Sequence, residues 1–135
     1  MFDTVGTSSN LDPLEAWGRL RSRGIGRLAV SENGNPDIFP INYLASDDRI
    51  LIRTAPGAKL TKLTANESVA LETDHYEAND AWSVVVKGTA HQLHDAEEIH
   101  AARQSPLWSW IPRSTDVFVV ITPTEVTGRH FARQQ

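Results

Sequence analysis

The chain has 135 residues, 40% of them hydrophobic and 22% charged, with a formal net charge of −4. That length suits one domain with a real core, and the acidic balance argues against a general nucleic-acid surface, which needs a basic face. The absence of cysteine excludes a disulfide framework, a thiolate nucleophile and a thiolate metal site.

Residues 1–10 read as a flexible polar tail, without the charged start and apolar core of a signal peptide. No apolar run approaches bilayer length, so a cytoplasmic protein with no membrane partner is expected. Residues 11–135 form the expected single domain. Ser9 or Asn10 can cap a helix with Pro13 in its first turn and Glu15 close behind, where negative charge complements the helix dipole. Leu14, Trp17 and Leu20 form its apolar stripe, and Gly24 is a natural stop. Ile25 to Val30 is the first strand, followed by Asn33-Gly34, a strong hairpin signal. The strand from Asp37 to Ala45 contains Pro40, which removes one ladder donor and so implies an edge or a bulge. An open ladder also lets a flat ligand approach the backbone, so Pro40 supports a functional and a structural reading equally.

Ser46-Asp47-Asp48 is a turn, and Ile50 to Thr54 alternates as a half-buried strand. Thr54-Ala55-Pro56-Gly57 then connects Arg53, at the strand end, to Lys59, at the start of a helix over Ala58 to Ala65. A guanidinium fork, an ammonium and free helix N–H groups around a small-residue loop suit a terminal phosphate. Val69 to Asp74 is a strand with Val69, Leu71 and Thr73 on one face and Ala70, Glu72 and Asp74 on the other. Tyr76 to Ala81 is a polar loop. Trp82 to Leu93 is the longest expected strand, bent or bulged at Gly88. Asp95 to Arg103 is a short capped helix, and Ser105 to Ser114 a loop holding Trp108, Trp110 and Pro112. Asp116 to Thr122 and Glu125 to Phe131 are two closing strands with Pro123 at their junction. Seven strand candidates and about three helices, joined by short connections, point to a mainly β protein built as an antiparallel barrel.

Other chemistry is poorly served. His91 and His94 face opposite sides of a strand and lack a third ligand, so no metal site is expected. Asp74-His75 and His100 read as solvated, and no serine has a nucleophile-elbow context.

Several stretches resemble the pyridoxamine 5′-phosphate oxidase-like family, the FMN-binding split barrels. They are Pro40-Ile41-Asn42-Tyr43, the acidic turn Asp47-Asp48, Ile50-Leu51-Ile52-Arg53-Thr54 and Gly57-Ala58-Lys59-Leu60. Trp82-Ser83-Val84-Val85-Val86-Lys87-Gly88-Thr89-Ala90 is similar to the family's Gly-Trp-Ser-Val strand, with Ala81 in place of the glycine. The run from Trp108 through Ile121 to Thr127-Gly128-Arg129 resembles the close of short members. The resemblance implies an antiparallel split barrel with FMN in a groove at a homodimer interface. By position, Arg53, Thr54 and Lys59 would hold the phosphate, and Pro40, Ile41 and Asn42 would line the ring. Trp82 and Ser83 would lie near it, from either subunit, and Trp108 or Arg129 would complete the pocket. Read from the residues alone, Trp82 is equally a core aromatic, Ser83 an ordinary strand hydroxyl and Arg129 a carboxylate partner.

The implied activity is that of an FMN-dependent oxidoreductase acting on an unknown small molecule, since the flavin carries the redox chemistry and the protein binds and tunes it. A deazaflavin-dependent reductase in the same fold, or a non-catalytic flavin-binding or storage protein, are the alternatives. The true oxidases end in an Arg-x-His element that grips substrate phosphate. Here Gly128-Arg129-His130-Phe131 sets Arg and His side by side, and that role is not carried over.

Overall fold

Strand alternation in this chain buries one face of nearly every strand in a common interior. The computed structural model describes residues 7–107 and 117–132. Its strands are β1 (Thr7–Asn10), β2 (Ile25–Glu32), β3 (Asn35–Ser46), β4 (Arg49–Thr54), β5 (Ser68–Tyr76), β6 (Asp80–Gln92) and β7 (Val117–Ala132). All neighbours are antiparallel, in the order β1-β7-β4-β3-β2-β5-β6, and β6 also pairs with β7, which closes the ring. This is the expected split β-barrel. Among the described residues it carries three short helices, α1 (Pro13–Arg21), α2 (Ala58–Ala65) and α3 (Ala96–Gln104).

Leu28, Val30, Ile41, Tyr43, Ile50, Ile52, Leu71, Val84, Val86, Val119 and Ile121 fill the interior, together with Ala16 and Leu20 from α1 and Leu63 from α2. Burying a large aliphatic side chain stabilises by roughly 1.5–3 kcal/mol, so this alternation is the main driving force for closure. The intervening residues Leu44, Leu51, Phe118 and Val120 point out of the barrel and make a second cluster with Leu93, Ile99 and Ala102 beside α3. Asn33 and Gly34 both have positive φ, 52° and 81°, as the tight β2–β3 turn requires. The β6–β7 register shifts between Lys87 and Gly88, the expected bulge.

Several boundaries differ from the sequence expectation. Thr7–Asn10, read as part of a tail, pairs with Arg129–Ala132 as a strand, because β7 outruns β4 and leaves ladder groups to satisfy. The two closing strands are one strand of 16 residues, longer than β6. Pro123 is tolerated inside it because it falls opposite Gly88, where the ladder is already shifted. The α1 cap is Asp12, whose carboxylate accepts from the Glu15 N–H, and not Ser9 or Asn10. That helix ends on Ser22, before Gly24, and Leu14 is 86% exposed where an inward stripe was expected.

Candidate functional site

The β3–β4 ladder covers only Tyr43 to Ser46 of β3, whereas β2 pairs with β3 from Asn35 to Asn42. Among the described residues, β3 around Pro40 therefore has a neighbour on one side only. Proline costs no ladder bond there, which reconciles its presence with an interior strand. The open edge faces the end of β4, where Arg53 and Thr54 lead into the loop to α2.

The residues along that edge alternate. Phe39 and Ile41 turn inward, and Ile41 is buried in the core, so only its backbone is available outside. Pro40 and Asn42 turn outward. Pro40 is exposed, but Asn42 is only 8% exposed and its amide makes no hydrogen bond among the described residues. Asn42 lies opposite Ile25 of β2, whose side chain is about half exposed.

At the edge's far side, Arg53 is half-buried on the outward face of β4, opposite Phe118. Thr54 is buried, its hydroxyl donating weakly to the Ala55 carbonyl at 3.4 Å. Gly57, at φ 156°, leads into α2, whose first turn has no side-chain cap. Its N–H groups are thus free of a side-chain acceptor. Lys59, in that first turn, holds its ammonium 5.3 Å from the Phe39 ring centroid. Burial pulls its pKa below the ordinary lysine value. Lys62, one turn on, pairs with Asp37 of β3 and ties α2 to the strand beside the edge. The donor set, two cations, a hydroxyl and uncapped amides around a loop of small residues, fits a phosphate, and the unpartnered Asn42 amide fits a polar ring edge beside it.

The remaining candidates lie elsewhere. Trp82 is 5% exposed, inside the barrel with Val84 and Val86, with the Arg19 guanidinium 5.5 Å from its ring centroid. Its core reading follows from alternation on β6. Ser83 points outward between Asp74 and Arg129. Arg129 is exposed near the end of β7, donates to Ser8 Oγ at 3.0 Å and stacks on Phe131. Arg53 adjoins the opposite end of β7, so Arg53 and Arg129 do not share an edge. Trp108 lies outside the described residues.

One constellation escaped sequence reasoning. Arg27 of β2 donates from Nε and Nη2 to Glu72 Oε1, at 2.8 and 2.5 Å, and from Nη2 to Asp74 Oδ1 at 2.7 Å. Burial alone would lower the pKa of Arg27, but the two carboxylates outweigh it and hold the guanidinium above its ordinary value. Burial raises Glu72, and Asp74 beside it adds to that, against the pull of Arg27. Asp74, expected to be solvated, is thus half-buried in an ion pair. The available signal was Glu72 and Asp74 at i and i+2 on one face of β5; the missing fact was that β2 pairs with β5. Among the described residues no group of three His, Asp or Glu is arranged to hold a metal ion, and no helix is long and apolar enough to cross a membrane.

Comparison with known proteins gives this geometry a setting. A crystal structure from Corynebacterium glutamicum, named for pyridoxamine 5′-phosphate oxidase, is 39% identical and superposes with a TM-score of 0.86, covering 93% of this chain and 99% of the other. An FAD-binding protein from Mycobacterium smegmatis is 32% identical, with a TM-score of 0.76 over 96% of this chain and 99% of its own. An FAD-binding protein from Mesorhizobium loti is 28% identical, with a TM-score of 0.83 and coverage of 95% and 99%. The pyridoxamine 5′-phosphate oxidase family model matches residues 12–130, a span that holds the open edge, the loop and every strand but β1 and the last two residues of β7, and the chain belongs to that family.

Proposed function

We propose that the chain binds flavin mononucleotide across the open edge of β3 and uses it as an oxidoreductase on a small molecule. The observation that carries this reading is Asn42, a largely buried residue on the outward face whose side-chain amide has no hydrogen-bond partner among the described residues, beside an uncapped helix start. A ligand with polar atoms on a flat edge and an anionic tail supplies hydrogen-bond partners to both at once. Asn42 and the backbone of Pro40 and Ile41 bind the ring, while Arg53, Thr54, Lys59 and the first-turn amides of α2 bind the phosphate. Bound flavin supplies the redox chemistry; the residues around it orient the ring, exclude water and supply hydrogen bonds that tune it. The two FAD-binding relatives favour a flavin over a deazaflavin, since FAD contains the same ring and the same first phosphate. A second copy of the chain covering the exposed Ile25, Ile38 and Pro40 is part of the proposal, with Ser83 and Arg129 available from that copy.

Titration of FMN and riboflavin against wild type and Arg53→Ala plus Lys59→Ala tests the phosphate assignment. Charge-assisted hydrogen bonds contribute on the order of 1.5–3 kcal/mol each, so FMN should lose about two to four decades in affinity. Riboflavin, lacking the phosphate, should bind weakly to both proteins and hardly notice the change. Equal weakening of the two ligands would show that the residues shape the fold instead. Mass and absorbance of the copurifying ligand identify FMN, FAD or deazaflavin, and its reduction and reoxidation by an added substrate separate an enzyme from a storage protein.

A further inference from the structure

The open edge of β3 has two flanks, and the phosphate donors occupy only the β4 flank. On the other flank, Arg27 lies directly opposite Pro40 in the β2–β3 ladder and directly opposite Glu72 in the β2–β5 ladder. Leu28 and Val30 are in the core and Pro40 is exposed, so alternation puts Arg27, Pro40 and Asn42 on the same outward face. Directly opposed residues on one face have Cβ atoms about 4.5–5.5 Å apart, so a flat ligand over Pro40 and Asn42 meets the Arg27 side chain. Its other neighbours on β2 and β3 on that face, Ile25, Ala29 and Ile38, are apolar. An ionic cluster standing half-buried among them has a desolvation cost and little gain for the fold.

We infer that Arg27 is a ring-binding residue of the proposed flavin site, with Glu72 and Asp74 as the residues that position it. This rests on the flavin reading above. The carboxylates take Nε and Nη2, which fixes the plane of the guanidinium, while Nη1 makes no hydrogen bond among the described residues and keeps its donors. A donor fixed before binding loses little freedom when it engages a ring carbonyl oxygen. Arg27 therefore acts on the tricyclic ring, on the opposite flank from Arg53 and Lys59.

The test uses lumiflavin, which is the ring with neither ribityl chain nor phosphate, beside FMN. Two variants are compared with wild type: Arg27→Met, and Arg27→Met combined with Glu72→Gln and Asp74→Asn, which leaves no unpaired carboxylate to disturb folding. Both should weaken lumiflavin and FMN by the same factor, about tenfold or more for a charged hydrogen bond, with the circular dichroism of the triple variant unchanged. Unchanged lumiflavin affinity in the folded triple variant overturns the inference while leaving the flavin reading intact. So does a loss confined to FMN, which would make Arg27 a phosphate ligand. Wild-type protein that binds neither ligand overturns the flavin reading, and this inference with it.

Discussion

Tyr43 shows how one side chain couples a helix to the barrel. Its ring fills the interior, and its hydroxyl donates to the Leu20 carbonyl at 2.7 Å, at the end of α1. Beside it, the Thr73 hydroxyl donates to the Ile25 carbonyl at 2.9 Å, so this polar pocket in the core is satisfied. Burial pushes the Tyr43 pKa up to about 12. The folded state therefore keeps its proton where the unfolded chain, near pH 10, begins to lose it. The stability that the neutral hydroxyl contributes is complete below about pH 10 and falls as pH rises toward 12. Tyr43→Phe should lose about 0.5–1.5 kcal/mol at neutral pH from the missing hydrogen bond. It should also show a shallower decline in urea midpoint above pH 10 than wild type. Parallel pH profiles for the two proteins would mean that Tyr43 ionises freely in the fold.

At the scale of elements, β6 and β7 form the longest ladder, and its irregularity is concentrated at Gly88. A Cβ there would lie 2.4 Å from the Thr122 carbonyl oxygen and 3.0 Å from Ile121 Cγ2. The nearest obstacle is backbone, which cannot rotate away as a side-chain tip can. Gly88→Ala should therefore destabilise by about 1–3 kcal/mol, with a lowered urea midpoint and an unchanged m-value. An unaffected midpoint would show that the bulge relaxes freely. α2 has the opposite character: its first turn is uncapped, and Lys62–Asp37 and Lys59–Phe39 attach it to β3. A phosphate at that turn would supply the missing cap, so FMN should protect the α2 amides from hydrogen exchange more than riboflavin does. Equal protection by both ligands would remove the phosphate from α2.

For the whole molecule, the helices cover the barrel unevenly. The outward face of β2 and β3 keeps Ile25 at 49% and Ile38 at 66% exposure, beside Pro40 and the ionic cluster. The proposed second copy would bury these residues and turn an open edge into a groove. Light scattering should therefore give twice the 15.0 kDa chain mass, and Ile25→Glu plus Ile38→Glu should shift the population toward monomer with loss of flavin. A wild-type monomer at micromolar concentration that still holds its cofactor would sink the shared-groove proposal.

What the sequence by itself determined is local. Period-2 alternation named the inward faces of β4 and β5, Asn33-Gly34 and Asp47-Asp48 marked the β2–β3 and β3–β4 turns, and Gly88 marked the bulge. Each of these signals depends on residues a few positions apart, whose preferences are set by backbone sterics and burial. Closure decided the rest. The pairing of β2 with β5 brings Arg27 to Glu72 and Asp74, residues far apart in sequence with nothing local to link them. The length of β7 recruits Thr7–Asn10 as a strand, because its end would otherwise hold unsatisfied backbone groups. The early end of the β3–β4 ladder leaves Pro40 on an open edge. Asn42, between the apolar residues Ile41 and Tyr43 of β3, became informative only when the fold placed it, largely buried, on the outward face beside the open edge. Register and closure are properties of the whole sheet, and a one-residue slip would turn every one of these side chains to the other face.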